Sequence, residues 1–252
     1  MTKSRILAAI DSSAAARPVL ATAAALAPVL GADVEAVHVT EGGGATASAL
    51  AERFGVPLRM VAGDPLEAIT DLAAADDVVG VVVGSRDQPR GRRRVGHLAR
   101  SLADRMSKPV VMVPPGAEPP DRVRTVLIAM EGTPAKVRNL QRAVTLAENA
   151  GVELVVLHVD DEDSIPSFSD QVQHETEAYA REFLDRYCQG AASARLETRI
   201  GVPADEIIAA VAQLSPALVA LGWPQSDDPQ RGAVAREVVD RSEVPVLLIA
   251  VA

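Results

Sequence analysis

Aromatic side chains are nearly missing from this chain, which has one tryptophan, two tyrosines and three phenylalanines. Any core must therefore be built from Ala, Val, Leu and Ile, which dominate a hydrophobic fraction of 48%. There is one cysteine, Cys188, which excludes an internal disulfide framework and fits a reducing cytoplasm. Positive charge is in deficit too: the net charge of −9 argues against a general affinity for nucleic acid or anionic membrane. Long apolar runs are also lacking. Met1-Thr2-Lys3-Ser4-Arg5 leads directly into Ile6–Ile10, a run too short for a signal-peptide core or a membrane span. No residues have metal-ligand spacing, and none form a nucleophile–base–acid set. These absences lead us to expect a soluble cytoplasmic protein that is not an enzyme.

What the chain does have is a repeat. Ile6–Val39 lies without gaps on Val126–Val159, with Gly31 on Gly151, His38 on His158 and Val39 on Val159. Further on, Gly63-Asp64-Pro65 matches Gly201-Val202-Pro203, Gly84 matches Gly222, and Gly96 matches Gly232. Asp104-Arg105 matches Asp240-Arg241, and Pro109-Val110 matches Pro245-Val246. A unit this long is a domain rather than a solenoid repeat. The expected division is a first domain over residues 1–113, a linker over 114–121 and a second domain over 122–252. The linker carries Pro114, Pro115, Pro119 and Pro120, which cannot continue a central strand.

Each copy alternates strand and helix. Ile6–Ile10 and Val126–Met130 read as strands ending in Asp11 or Glu131. Ser12 and Ser13, or Thr133, follow as N-cap candidates, and Ala/Leu-rich helices run to Gly31 and Gly151. Val34–Val39 and Leu154–Val159 are the second strands. The copies then diverge: the second has a long amphipathic stretch, Asp170–Cys188, where the first has a short helix around Ala47–Phe54. Both continue through a strand (Leu58–Val61; Arg195–Ile200), a Gly-x-Pro turn and a helix. Val78–Val83 and Ala217–Leu221 lack polar alternation, as strands covered on both faces do. A last helix and a Pro-led strand (Pro109–Val113; Pro245–Val251) close each copy. Five such alternations predict an α/β fold with a parallel sheet and helices on both faces.

Ligands of open parallel sheets bind beyond the carboxyl ends of the strands, where the strand order reverses. That rule selects Asp11, Val39-Thr40, Gly84-Ser85-Arg86 and Gly96-His97-Leu98 in the first copy. In the second it selects Glu131, Val159-Asp160, Gly222-Trp223 and Gly232-Ala233. Arg86, Arg90, Arg92, Arg93 and Arg94 crowd the loop before Gly96. Guanidinium groups there suit phosphate oxygens, but a run of charge is also what a solvated loop contains, and both readings stay open. His38 and His158 read as structural, Cys188 as a buried small hydrophobe, and Trp223 as a plug of the second cleft or a contact with the other domain.

The strand–Asp–Ser start, the His-Val strand end, the Gly-x-Pro turn, the apolar strand ending in Gly and the Pro-Val final strand together resemble a tandem universal stress protein, over nearly the whole chain. The resemblance implies two Rossmann-like domains of the adenine nucleotide alpha hydrolase-like type. Each would be a five-stranded parallel sheet, the pair joined through the last strands. One subgroup of this family binds ATP through Gly-x2-Gly-x9-Gly-Ser/Thr. The first copy reads Gly84-Ser85-Arg86-Asp87, eight residues and Gly96-His97; the second reads Gly222-Trp223-Pro224-Gln225, six residues and Gly232-Ala233. Asp87 and Gln225 replace the middle glycine, and neither copy keeps the hydroxyl.

The resemblance therefore points to a non-enzymatic stress-response regulator with at most weak adenine-nucleotide binding in the first domain. ATP, with Mg, would enter there, and the second domain would hold none. Asp11 and Ser12 would lie at the ribose, Val39 near the base, and Gly84, Arg86, Gly96 and His97 near the phosphates. A scaffold acting through protein partners is the alternative, and a slow ATPase is less well supported. The expected assembly is an intrachain pseudo-dimer of the two domains, with a homodimer or a protein partner as further options.

Overall fold

A computed structural model of the chain describes residues 3–40, 44–85, 96–118, 121–130, 144–160, 181–185, 188, 194–225 and 232–251. The first copy runs β1 (Arg5–Ala9), α1 (Ala16–Leu30), β2 (Asp33–Val39), α2 (Ala45–Phe54), β3 (Leu58–Val61), α3 (Pro65–Ala73), β4 (Val78–Gly84), α4 (His97–Arg105) and β5 (Val110–Val113). The second runs β6 (Thr125–Ala129), β7 (Glu153–Asp160), β8 (Ala194–Ile200), α5 (Pro203–Leu214), β9 (Leu218–Pro224), α6 (Ala233–Arg241) and β10 (Val246–Val251). Residues 144–149 and 181–185 are also helical.

All ten strands form one sheet in the order β3-β2-β1-β4-β5-β10-β9-β6-β7-β8. Every pairing inside a copy is parallel. Between the copies β10 runs antiparallel to β5, with Val246 opposite Met112 and Leu248 opposite Val110. The two apolar closing strands thus cover each other, which removes two exposed edges that would invite aggregation.

The period-two side-chain alternation explains how the sheet carries helices on both faces. On β1, Ile6 and Ala8 join one core with α1 and α2, while Leu7 and Ala9 join the other with α3 and α4. Both cores include residues of both copies, so apolar packing is continuous across the β5–β10 joint. Gly31 ends α1 in the left-handed region, at φ 57°, with its N–H shared between the Ala27 and Pro28 carbonyls.

Helix α1 corrects one expectation. Neither Ser12 nor Ser13 is its N-cap. That place falls to Ala15, with no side-chain cap. Asp11 Oδ1 instead accepts from the Ser13 N–H at 2.9 Å and the Ser13 hydroxyl at 2.6 Å, while Ser13 Oγ accepts from the Ala15 N–H. This side-chain turn delays the helix to Ala16. Thr133 and most of Asp170–Cys188 lie outside the described residues. No helix among the described residues is long and apolar enough to cross a membrane, and none of their His, Cys, Asp and Glu side chains group as a metal site.

Cys188 is 2% exposed, and burial pushes its thiol from 9.0 up to about 11. A thiol reagent at pH 8 should therefore leave the native chain unlabelled and modify one site per chain in denaturant. From about pH 9 the unfolded chain loses its thiol proton before the folded one, so this group removes stability as pH rises, until the folded thiol ionises near 11. Rapid labelling without denaturant would contradict the buried placement.

Candidate functional site

Strand order reverses between β1 and β4. From β1 the chain steps outward to β2 and β3, then returns to the other side of β1 for β4 and β5. The helices follow opposite faces there, α1 on one side and α3 and α4 on the other, so a crevice opens at the strand ends. A cleft of about 230 Å³ occupies this place. Val19, Val37, Val39, Ile69 and Leu98 give it largely apolar walls, and among the described residues Asp11 is the one ionisable side chain in its lining. Helices α1, α3 and α4 all begin beside it, through Ala16, Pro65 and Leu98. Asp64 caps α3 by accepting from the Glu67 N–H at 3.1 Å. Neither α1 nor α4 has a side-chain cap, so their first turns present partial positive charge toward this end of the sheet.

Of the residues selected from sequence, Asp11, Val39, Gly84 and Leu98 line the cleft. Gly96 is the N-cap of α4, in an extended conformation, and its N–H donates to the Ser85 carbonyl at 2.8 Å. His97, the first residue of α4, is exposed, and Ser12 is exposed and outside the lining. Arg86, the other arginines of its loop, Asp87, Glu131 and Arg231 lie outside the described residues. Sequence reasoning missed Val19 and Ile69. The signal for Val19 and Ile69 was the apolar periodicity of α1 and α3, read only as core.

His38 and His158 have equivalent structural roles. His38 Nδ1 donates to the Ile10 carbonyl at 2.8 Å, and His158 Nδ1 donates to the Met130 carbonyl at 2.9 Å. Each imidazole ties the second strand of its copy to the chain leaving the first. A carbonyl can only accept, which assigns a proton to Nδ1 in both rings.

Trp223 does not stand in the mouth of the second cleft. It is 3% exposed, its indole N–H donates to Asp104 Oδ1 of the first copy at 3.0 Å, and the Arg236 guanidinium lies 5.6 Å from its ring centroid. Gln225 also crosses the joint, donating from Nε2 to the Met106 carbonyl at 2.5 Å. Pro224 packs on Gly232, where an added Cβ would meet the Pro224 ring at 2.9 Å and where φ is +78°. The corresponding Gly96 is extended, so the two glycines launch their helices from different conformations. In the second copy Asp160, at the position of Thr40, faces His158 Nε2 at 3.2 Å.

The universal stress protein family model matches residues 122–250. Among solved structures, a universal stress protein from Archaeoglobus fulgidus DSM 4304 is similar over 99% of both chains, with a TM-score of 0.69 and 17% identity. A functionally unknown protein from Pseudomonas aeruginosa PAO1 is similar over 99% of this chain and 93% of its own, with a TM-score of 0.72 and 17% identity. A universal stress protein from Archaeoglobus fulgidus in complex with dAMP covers 52% of this chain and 98% of its own, at 18% identity and a TM-score of 0.38. No curated protein sequence matches. With a family model spanning half of its length and full-length likeness in fold, the chain belongs to the universal stress protein family.

Proposed function

We propose that the first-copy cleft binds an adenine nucleotide and that the protein is a non-enzymatic, nucleotide-responsive regulator. The supporting observation is the cleft at the β1–β4 switch point. It combines apolar walls suited to a base with one carboxylate and two helix starts that carry no side-chain cap. Asp11 uses Oδ1 for the Ser13 turn, and a ribose hydroxyl would donate to Oδ2. The described lining holds no histidine, cysteine or lysine beside that carboxylate, which favours binding over turnover. ATP with Mg would have its phosphates toward Gly84, Gly96 and the arginine loop. The second copy would take none, because Pro224 packs on Gly232 at the start of α6 and Gln225 is tied to the Met106 carbonyl of the first copy.

A scaffold that acts through protein partners is the second reading. It is favoured by Ser12 standing outside the cleft and by the hydrogen bonds that Ser13 already makes to Asp11. Thermal-shift and calorimetric titrations with ATP, ADP, AMP and cyclic AMP, with and without Mg, separate the two. Saturable binding at one site per chain is expected, with about 2.7 kcal/mol of added stability at a hundred times the dissociation constant. Two equivalent sites would refute the one-sided assignment, and no shift with any nucleotide would favour the scaffold.

A further inference from the structure

The two ends of α4 belong to different neighbourhoods. Its first turn borders the cleft through Leu98, and its N-cap Gly96 is tied to Ser85 at the end of β4. Its C-terminal end is held by the other copy: the Trp223 indole N–H donates to Asp104, and the Gln225 amide donates to the carbonyl of Met106, the C-cap. The helix has nine residues, so the two ends are about 13 Å apart. Neither Trp223 nor Gln225 lines the cleft.

What sets α4 along its own axis follows from its side chains. Its buried face is Ala99, Leu102 and Ala103, two of them little more than a methyl group. Apolar burial is non-directional and defines position along a helix axis poorly, whereas hydrogen bonds at one end define it well. Trp223 is a firm anchor for this purpose, being buried and flanked by Arg236. We propose that Trp223 and Gln225 are positioning residues for the ligand cleft of the opposite copy. They set the axial position of α4, and with it the placement of Leu98 and of the first-turn N–H groups against β1 and β4. The proposal rests on the reading of that cleft as a nucleotide site. Coupling between two sites is reciprocal, so a nucleotide that loads the N-terminal end of α4 must be felt at Trp223.

The test uses the full chain and ATP, ADP and AMP as probes. Calorimetric titrations compare the wild type with Trp223→Phe, Gln225→Ala, Asp104→Leu and Asp104→Asn. The first three should weaken binding about fivefold or more, the lower range of measured couplings. Asp104→Asn keeps the Oδ1 acceptor and should retain wild-type affinity. Melting temperatures without ligand are recorded in parallel, since a merely structural role lowers them and leaves the dissociation constant unchanged. Trp223 is the only tryptophan, so its emission should change on saturation of the wild type and respond less in Asp104→Leu. Unchanged affinity in all variants, or unchanged emission at saturation, overturns the positioning role while the nucleotide reading stands. If the wild type gives neither heat nor a melting shift with any probe, both fall.

Discussion

Leu248→Asp should abolish a stable fold. Leu248 is 2% exposed on β10, opposite Val110 of β5 and beside Leu221 of β9, in the core shared by both copies. A carboxylate there has no cation to pair with on those strands, and its burial costs about 4 kcal/mol or more. Domains of this size have about 5–15 kcal/mol of stability in all. Urea unfolding should show a midpoint close to zero denaturant, or the protein should fail to accumulate in soluble form. Met60→Asp, at a residue 44% exposed on the edge strand β3, should shift the midpoint little. If Leu248→Asp unfolds within about 1 kcal/mol of the wild type, an ordinary surface-substitution effect, β5 and β10 do not form the joint described.

Gly84→Leu should remove nucleotide binding and leave the fold intact. Gly84 has no positive φ, and among the described residues an added Cβ would find only Val19 Cγ2, at an ordinary 3.9 Å. The first side-chain atom therefore fits, and the remaining three carbons enter the cleft that Gly84 lines. Nucleotide affinity should fall at least about tenfold, or 1.4 kcal/mol, with the melting temperature preserved. The matching change in the second copy, Gly222→Leu, should do the opposite. There a Cβ would stand 3.2 Å from Val251 Cγ1, so stability drops while affinity at the first copy persists. Wild-type affinity in Gly84→Leu would move the ligand site away from the β1–β4 crevice.

Much of this architecture could be read before any coordinates. The continuous apolar runs Val78–Val83 and Ala217–Leu221 marked strands covered on both sides, and the strand ends after β1 and β4 marked the crevice. For Trp223 the sequence left two readings open, a plug of the second cleft or a contact with the other domain, and the contact is the one found, through Asp104. Ser85, the counterpart of Trp223, is likewise buried and outside the lining of the first cleft. Ser12 and Ser13 look like a helix cap by residue type alone. Whether a serine caps the helix or binds Asp11 depends on a competition between two local hydrogen bonds that composition does not decide.

The antiparallel β5–β10 joint has the geometry of a twofold contact, yet both strands belong to one polypeptide. In an isologous dimer of identical chains each substitution is introduced twice, and a residue must suit both copies of the contact at once. Covalent fusion lifts that restriction. Trp223 occupies one side of the axis and the small, buried Ser85 the corresponding place on the other, an inequality that identical subunits could not maintain. Duplication within one chain therefore lets one half specialise as support while the other keeps an open crevice, and each new mutation is tested by selection on one side at a time.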